Sequence, residues 1–461
     1  MSSDTSSAKP LSGGLNFQLS TMMFLQYAIW GAWLPLLWPF LSGHRGFSPS
    51  EIGNMFAIGA VGAIVAPFIA GQIADRWFNT EKFLGISHIL GGILVWQLAS
   101  LETYNSFLVF SLLYSLIYSP TLSLTNSLAF HHLPDRDRDF GKIRVWGTIG
   151  WIVVGIGIGQ WLLHQHTPIG LEAEAVSAAQ AAGMADAFKL SGLLGIVMGI
   201  FCFFLPSTPP AKEEKKSAIG GALDAIRLQP LLTLFLIAVP ISCVHQFYFV
   251  HTAPFLGQFQ NQAEGFIDIV NKIVGVGGGG LMTIGQMAEI GVLAMIPLFA
   301  KKYSRKALLC VGIAAYALRM FLFAYGPNFP ETLQLPVIIL GIAMHGLCFG
   351  CFIFVAFMVV DEECAADVRA SAQSLFNLVI VGIGIIVGSK IAGYVAEIST
   401  VNEVMNYQKL FSVPMWAALA CLVIMQLCYP NKPPATAADG PSDKDADLDI
   451  DSDAASNNGD E

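Results

Sequence analysis

Charge is scarce in this chain. Only 12% of its 461 residues are Asp, Glu, Lys or Arg, about half of the roughly 25% found in soluble domains. The shortage excludes an ordinary cytosolic enzyme, and 24 basic against 33 acidic residues leave no basic surface with which to hold nucleic acid. The start of the chain lacks a basic stretch, and no small-residue cleavage site follows the first apolar run, so a cleaved signal peptide is not expected. The eight cysteines lie almost wholly within apolar runs, which excludes an exposed disulfide framework. Cys348 and Cys351, spaced CxxC inside such a run, read as packing and not as redox or zinc ligands. No His, Cys, Asp or Glu spacing suits a metal, and no nucleophile with base and orienting group accompanies a phosphate loop, so neither an enzyme nor a bound cofactor is expected.

What fills the chain is apolar: 54% of residues are hydrophobic and the mean hydropathy is +0.60. A spanning helix needs about 20 apolar residues. Such runs occur at 18–42, 52–74, 83–101, 106–130, 144–164, 186–206, 229–253, 278–300, 307–325, 334–360, 371–396 and 409–429. An all-α polytopic membrane protein of about twelve spans is expected, and a β-barrel is not, because the runs do not alternate. Pro35, Pro39, Pro67, Pro120 and Pro240 fall inside runs, where they bend spanning helices.

Basic residues fix the orientation. Arg76 and Lys82, then Arg136, Arg138 and Lys142, then Lys212, Lys215 and Lys216, then Lys301, Lys302, Arg305 and Lys306 follow even-numbered spans, whereas odd-numbered loops hold chiefly Arg45 and Lys272. Both termini are therefore expected in the cytoplasm. The polar stretch at 207–228 reads as a solvated linker between a six-helix half at 18–206 and another at 229–430, after a cytoplasmic segment at 1–17. The tail, 431–461, holds nine acidic residues against Lys432 and Lys444, and should be disordered. Most of the formal charge of −9 resides there, so bulk charge says nothing about a solute. An Ala-rich stretch from Glu172 to Phe188 suggests a surface helix, and Gly277 to Gly280 a flexible lead-in to the eighth span.

Ionisable groups inside spans cost about 2.5–3.5 kcal/mol on insertion scales and are functional candidates. Arg144, Thr148 and Trp151 share one helix face at i, i+4 and i+7, offering a cation, a hydroxyl and an aromatic platform. Arg144 reads either as part of that face or as an anchor snorkelling to the cytoplasmic surface. In the eighth span Gln286 and Glu289 share a face at i, i+3. Glu289 has three open uses: a proton carrier, an acceptor for solute hydroxyls, or a structural ion pair with Arg319. Gln246 of the seventh span can donate and accept, beside His245, Tyr248, Phe249 and His251, and His345 lies with Phe349 in the tenth. These groups converge only if the two halves face each other, which points to a central solute cavity. A receptor signalling through its tail is disfavoured, since that tail holds no folded domain.

The loop after the second span, with Gly71, Asp75 and Arg76, resembles the gating signature of the major facilitator superfamily, and Pro297 to Tyr303 repeats its placement in the second half. More specifically, the chain resembles the nucleoside:proton symporter family of that superfamily over essentially all twelve spans. The stretches carrying the resemblance are Leu25–Trp33, Ile143–Gly150, Gly285–Glu289, Leu318–Gly326 and Val368–Gln373. It implies the major facilitator fold, a multi-pass inner-membrane location, and inward nucleoside transport coupled to H+ by alternating access, with a monomer as the unit and lipid and solute as the only partners. It also implies substrate-facing roles for Arg144, Thr148, Trp151, Gln246, Gln286 and Glu289, with Phe349 lining the site and Glu289 coupling the proton. Phe249 stands where the family has an Asn, and Gly350 where it has an acidic residue. Each lost polar partner removes roughly 1–3 kcal/mol, so the alternative is a carrier for a sugar or another small polar metabolite.

Overall fold

The computed structural model describes residues 11–69, 79–209, 219–261, 265–365, 368–402 and 404–431. Gly71, Asp75, Arg76 and the tail beyond residue 431 lie outside the described residues. A chain surrounded by lipid must satisfy its own backbone hydrogen bonds, and helices do so within one segment. In order they are α1 Gly13–Trp33, α2 Leu37–Gly43, α3 Pro49–Ile69, α4 Thr80–Leu98, α5 Tyr104–His132, α6 Arg136–Gln165, α7 Ala173–Gly183, α8 Ala185–Cys202, α9 Ile219–Ile226 and α10 Leu231–Gln260. There follow α11 Phe266–Val274, α12 Gly279–Lys302, α13 Arg305–Tyr325, α14 Glu331–Ala343, α15 His345–Leu347, α16 Val355–Glu363, α17 Arg369–Asn377, α18 Ile385–Ser399 and α19 Tyr407–Cys428. The sole departure from an all-α class among the described residues is a two-residue hairpin, in which Thr400–Val401 pairs antiparallel with Val404–Met405.

Among the described residues ten helical stretches are long and apolar enough to cross a membrane. Two expected spans fall short by that measure. The run at 52–74 is described only to Ile69, with Pro49–Val65 as its apolar part. The run at 83–101 coincides with the 19-residue α4, whose Glu81, Lys82, Ser87 and His88 reduce its apolarity. Polar caps set several starts: Ser12 accepts from Leu15 N, Thr103 from Ser106 N, Asp135 from Arg138 N, Ser304 from Ala307 N and Asn406 from Lys409 N. Pro35 lies in the 3₁₀ turn Leu34–Leu36 that separates α1 from α2, whereas Pro120 and Pro240 remain inside α5 and α10. Two spans are broken by π-helical segments, Cys348–Phe354 and Leu378–Gly384, which apolar patterning does not reveal. The Ala-rich outer stretch is helical as expected, as α7. Part of the 207–228 stretch is also helical, as α9, and packs against α17.

Helices α1–α8 pack chiefly on one another, α4 against α8 and α1 against α6, and α10–α19 do likewise, with α13 against α19 and α10 against α18. Small residues permit the close crossings: a Cβ on Gly92 of α4 would lie 2.7 Å from Gly192 O of α8. A buried polar cluster ties α1, α4 and α5 together. His88 Nε2 meets Gln26 Oε1 at 2.9 Å, Gln26 Nε2 donates to Thr121 Oγ1 at 2.8 Å, and Tyr118 OH donates to Gln26 O.

The two groups of helices meet through α6 on α12 and α3 on α18. The glycine run before α12 is not a loose lead-in, because it forms this joint. Gly275, Gly277 and Gly278 adopt φ of 78°, 84° and 81°, and all three are buried. Val276 N donates to Gly159 O at 3.0 Å, and Gly278 N donates to the Gln260 side chain at 2.7 Å. Gln160 donates to Lys272 O and Asn261 to Ser177 at the same end of the molecule. Trp38 packs on His251 nearby, and Ser50 bonds Glu397.

Candidate functional site

The polar residues singled out in α6, α10 and α12 gather where the two helix groups face each other. Trp151 is seated first. Gly31 of α1 has no side chain, and a Cβ there would lie 2.9 Å from the Trp151 ring, so the indole lies flat against α1. Its other neighbours are Trp30 of α1, edge to face at 5.7 Å between centroids, and Phe249 of α10 at 6.5 Å. Such pairs contribute about 0.5–1.5 kcal/mol beyond burial. Trp151 thereby touches both helix groups.

Arg144 lies two turns before Trp151 on α6. Its guanidinium sits 4.1 Å from the centroid of Tyr27 on α1. Arg144 is half-buried against α1. Thr148, half-buried, lies between Arg144 and Trp151 on the same face.

Glu289 of α12 retains 13% side-chain exposure, and its Oε2 lies 3.5 Å from His345 Nε2. The expected partner for a structural ion pair was Arg319, but His345 stands between them: Arg319 Nη1 reaches His345 Nδ1 at 3.2 Å. Gln286, one turn before Glu289, is buried with Oε1 lacking a hydrogen-bond partner, an acceptor left open for a donor. Gln246 is buried on α10 three residues before Phe249, beneath Gly388 of α18. Phe349, half-buried, stacks on His345 at 6.4 Å. Ring and ion contacts run from Trp151 through Phe249 and His345 to Glu289 and Phe349. Thr148, Gln246 and Gln286 sit beside them on the same three helices.

Three features escaped the sequence. Tyr27 and Trp30 of α1 join the wall, and their i, i+3 spacing in an aromatic stretch was the available signal. His345 couples Glu289 to Arg319, which no spacing foretells. Gly350 faces α12 so closely that a Cβ would meet Val292 at 2.7 Å, so an acidic side chain would not fit at this position without displacing that valine. Among the described residues no group of His, Cys, Asp and Glu side chains could hold a metal ion. The arrangement offers an aromatic wall, open amides and one carboxyl at a seam between two bodies of helices. It can hold a planar polar solute and a proton.

Comparison with known proteins extends this description. The family described as nucleoside H+ symporter matches residues 14–433. The chain is 34% identical to YegT of Escherichia coli (strain K12) over 390 residues, 82% of this chain and 84% of that one. It is 29% identical to the xanthosine permease of the same organism over 416 residues, 88% and 94% of the two chains. A crystal structure of the nucleoside transporter NupG superposes with a TM-score of 0.76 at 25% identity, covering 91% of this chain and 100% of that one. The shared architecture is of the major facilitator type.

Proposed function

This chain belongs to the nucleoside H+ symporter family, and from that premise we propose that it carries a nucleoside together with a proton into the cell by alternating access. It is a multi-pass protein of the inner membrane and a transporter rather than an enzyme. The observation that carries the reading is the position of Glu289, a membrane-embedded carboxyl placed among open amides and aromatic rings at the seam of two helix groups. Trp151 and Phe349 line the nucleoside, Gln246, Gln286, Thr148 and Glu289 hydrogen-bond its base or ribose, and Arg144 organises the charged side of the cavity. Glu289 also carries the coupling proton, with H+ as the driving ion. A proton moving down 100 mV supplies about 2.3 kcal/mol, roughly fifty-fold accumulation before any pH gradient is added.

The architecture that serves this cycle has twelve spans in two halves, 18–206 and 229–430, joined by the cytoplasmic linker 207–228. Both termini, 1–17 and 431–461, lie in the cytoplasm. The charge of the even-numbered loops supports that orientation. With it, the glycine joint at Gly159 and Gly275 is on the outer side, and the conformation described is closed outward. Gly71, Asp75 and Arg76 remain the candidates for an inner gating loop on sequence grounds. One chain in lipid is the transport unit, its belt of exposed apolar residues including Leu236, Trp416 and Leu427.

Uptake of labelled uridine and adenosine in cells lacking nucleoside carriers tests the reading. Uptake should be competed by nucleosides and not by free sugars, and should collapse with a protonophore. Competition by sugars with no nucleoside uptake would overturn it.

A further inference from the structure

Arg319 of α13 is fully buried, with its guanidinium 4.3 Å from the Tyr248 ring centroid and 5.0 Å from that of Tyr316. Among the described residues no carboxylate pairs with it directly, and its Nε and Nη2 lack hydrogen-bond partners. A buried cation left so is unfavourable unless an anion compensates it nearby. Its one polar contact is His345 Nδ1 at 3.2 Å. A guanidinium can only donate, so Nδ1 accepts and the neutral ring carries its hydrogen on Nε2. Nε2 is the atom that stands 3.5 Å from Glu289 Oε2. A cation, an oriented imidazole and the transport carboxyl thus lie in line.

We propose that Arg319 and His345 form a relay of fixed polarity that sets how tightly Glu289 holds its proton. This rests on the reading that Glu289 carries the coupling proton. His345 passes no proton itself. Its Nε2–H, polarised by Arg319, faces the carboxylate and favours the ionised form. Protonating Glu289 removes the anion that Arg319 faces, so the relay opposes loading and promotes release. Arg319 and His345 are positioning residues for the coupling step. The other groups around them are Arg144 from α6 and Cys348 of the first π segment. His245 and Tyr248 of α10 stack on His345 at 5.6 and 4.8 Å, and Tyr316 of α13 bonds His245 at 2.7 Å. Of these only Arg144 is a second cation, and it stands on α6, in the other helix group from His345.

The test is the pH profile of proton-driven nucleoside uptake in proteoliposomes, with counterflow exchange as the control for folded, binding-competent protein. Removing the cation or the ring strengthens proton retention. Arg319→Gln and His345→Phe should each move the falling limb of the profile to higher pH by about one unit. The double variant should move it no further than the larger single shift. His345→Gln, which keeps an acceptor and a donor, should hold its midpoint near that of the parent. Unmoved profiles in both Arg319→Gln and His345→Phe, with counterflow retained, would overturn the relay. Equal shifts in His345→Gln and His345→Phe would overturn the role given to the ring's polarity. If Arg319→Gln does not fold, the histidine variants decide. Glu289→Gln separates the two readings: uphill uptake surviving there defeats the assignment of Glu289, whereas its loss beside unmoved relay variants defeats the relay alone.

Discussion

Trp151 of α6 and Phe249 of α10 meet edge to face with their ring centroids 6.5 Å apart, so an aromatic from each helix group joins the two at the seam. Alanine in place of an aromatic that stacks on a nucleobase costs about 1–3 kcal/mol. Trp151→Ala should therefore raise the KM for nucleoside uptake by about tenfold or more, with a smaller effect on the maximal rate. Trp151→Phe should recover most of the affinity. Initial-rate uptake at matched expression is the measurement, and an unchanged KM would remove Trp151 from the substrate wall.

Glu289→Gln keeps the shape and hydrogen-bonding capacity of the side chain but not its proton chemistry. Accumulation against a gradient should be abolished, while exchange of internal for external nucleoside continues. Undiminished proton-driven accumulation in vesicles would show that coupling lies elsewhere.

The cluster of Gln26, His88 and Thr121 is a structural tie between α1, α4 and α5. Gln26→Leu strands a buried imidazole and hydroxyl, a loss of about 1–3 kcal/mol. The detergent-solubilised protein should melt several degrees lower, and the KM should change less than about twofold. A normal Tm with a large change in KM would instead place Gln26 in the transport pathway.

Gly275 has a φ of 78°, and a Cβ there would run into the backbone of Gly159. Gly275→Ala should keep the outer joint from closing. Uptake should fall by an order of magnitude or more, since the strain and the collision together exceed about 1–2 kcal/mol. A cysteine placed at Thr283, buried beside Gly155 in the parent, should react with an impermeant maleimide from outside faster in the Gly275→Ala background than in the parent. Equal labelling in both backgrounds would place the closure elsewhere.

Much of this was legible in the order of residues. Spans announce themselves because lipid tolerates only long apolar helices, and the face shared by Arg144, Thr148 and Trp151 follows from the helical repeat alone. Contacts that depend on tertiary approach were not legible. Glu289 and Arg319 were natural partners by charge, yet the chain folds His345 between them, and no local pattern encodes which of three buried side chains occupies the middle. The run Gly277 to Gly280 reads as loose because glycine is permissive. It is instead tightly packed, since that same permissiveness lets Gly278 close on the backbone of Ala253 and Gly280 on that of Val274. The π-helical turns leave no mark in hydropathy, because one residue more per turn changes neither length nor polarity.

Those turns divide the labour between the halves. Among the described residues both π segments, Cys348–Phe354 and Leu378–Gly384, belong to the C-terminal group, and helices α1–α8 contain none. A π turn stores one residue of slack. Passing that residue into regular helix swings everything beyond it through about 100° at the 3.6-residue repeat. The first segment begins three residues after His345 and includes Phe349, so taking up its slack would turn the imidazole and the phenyl ring relative to the rest of their helix. Among the described residues that slack is confined to the C-terminal group. A cycle described by rigid rocking alone would miss the rotation available within α14–α16.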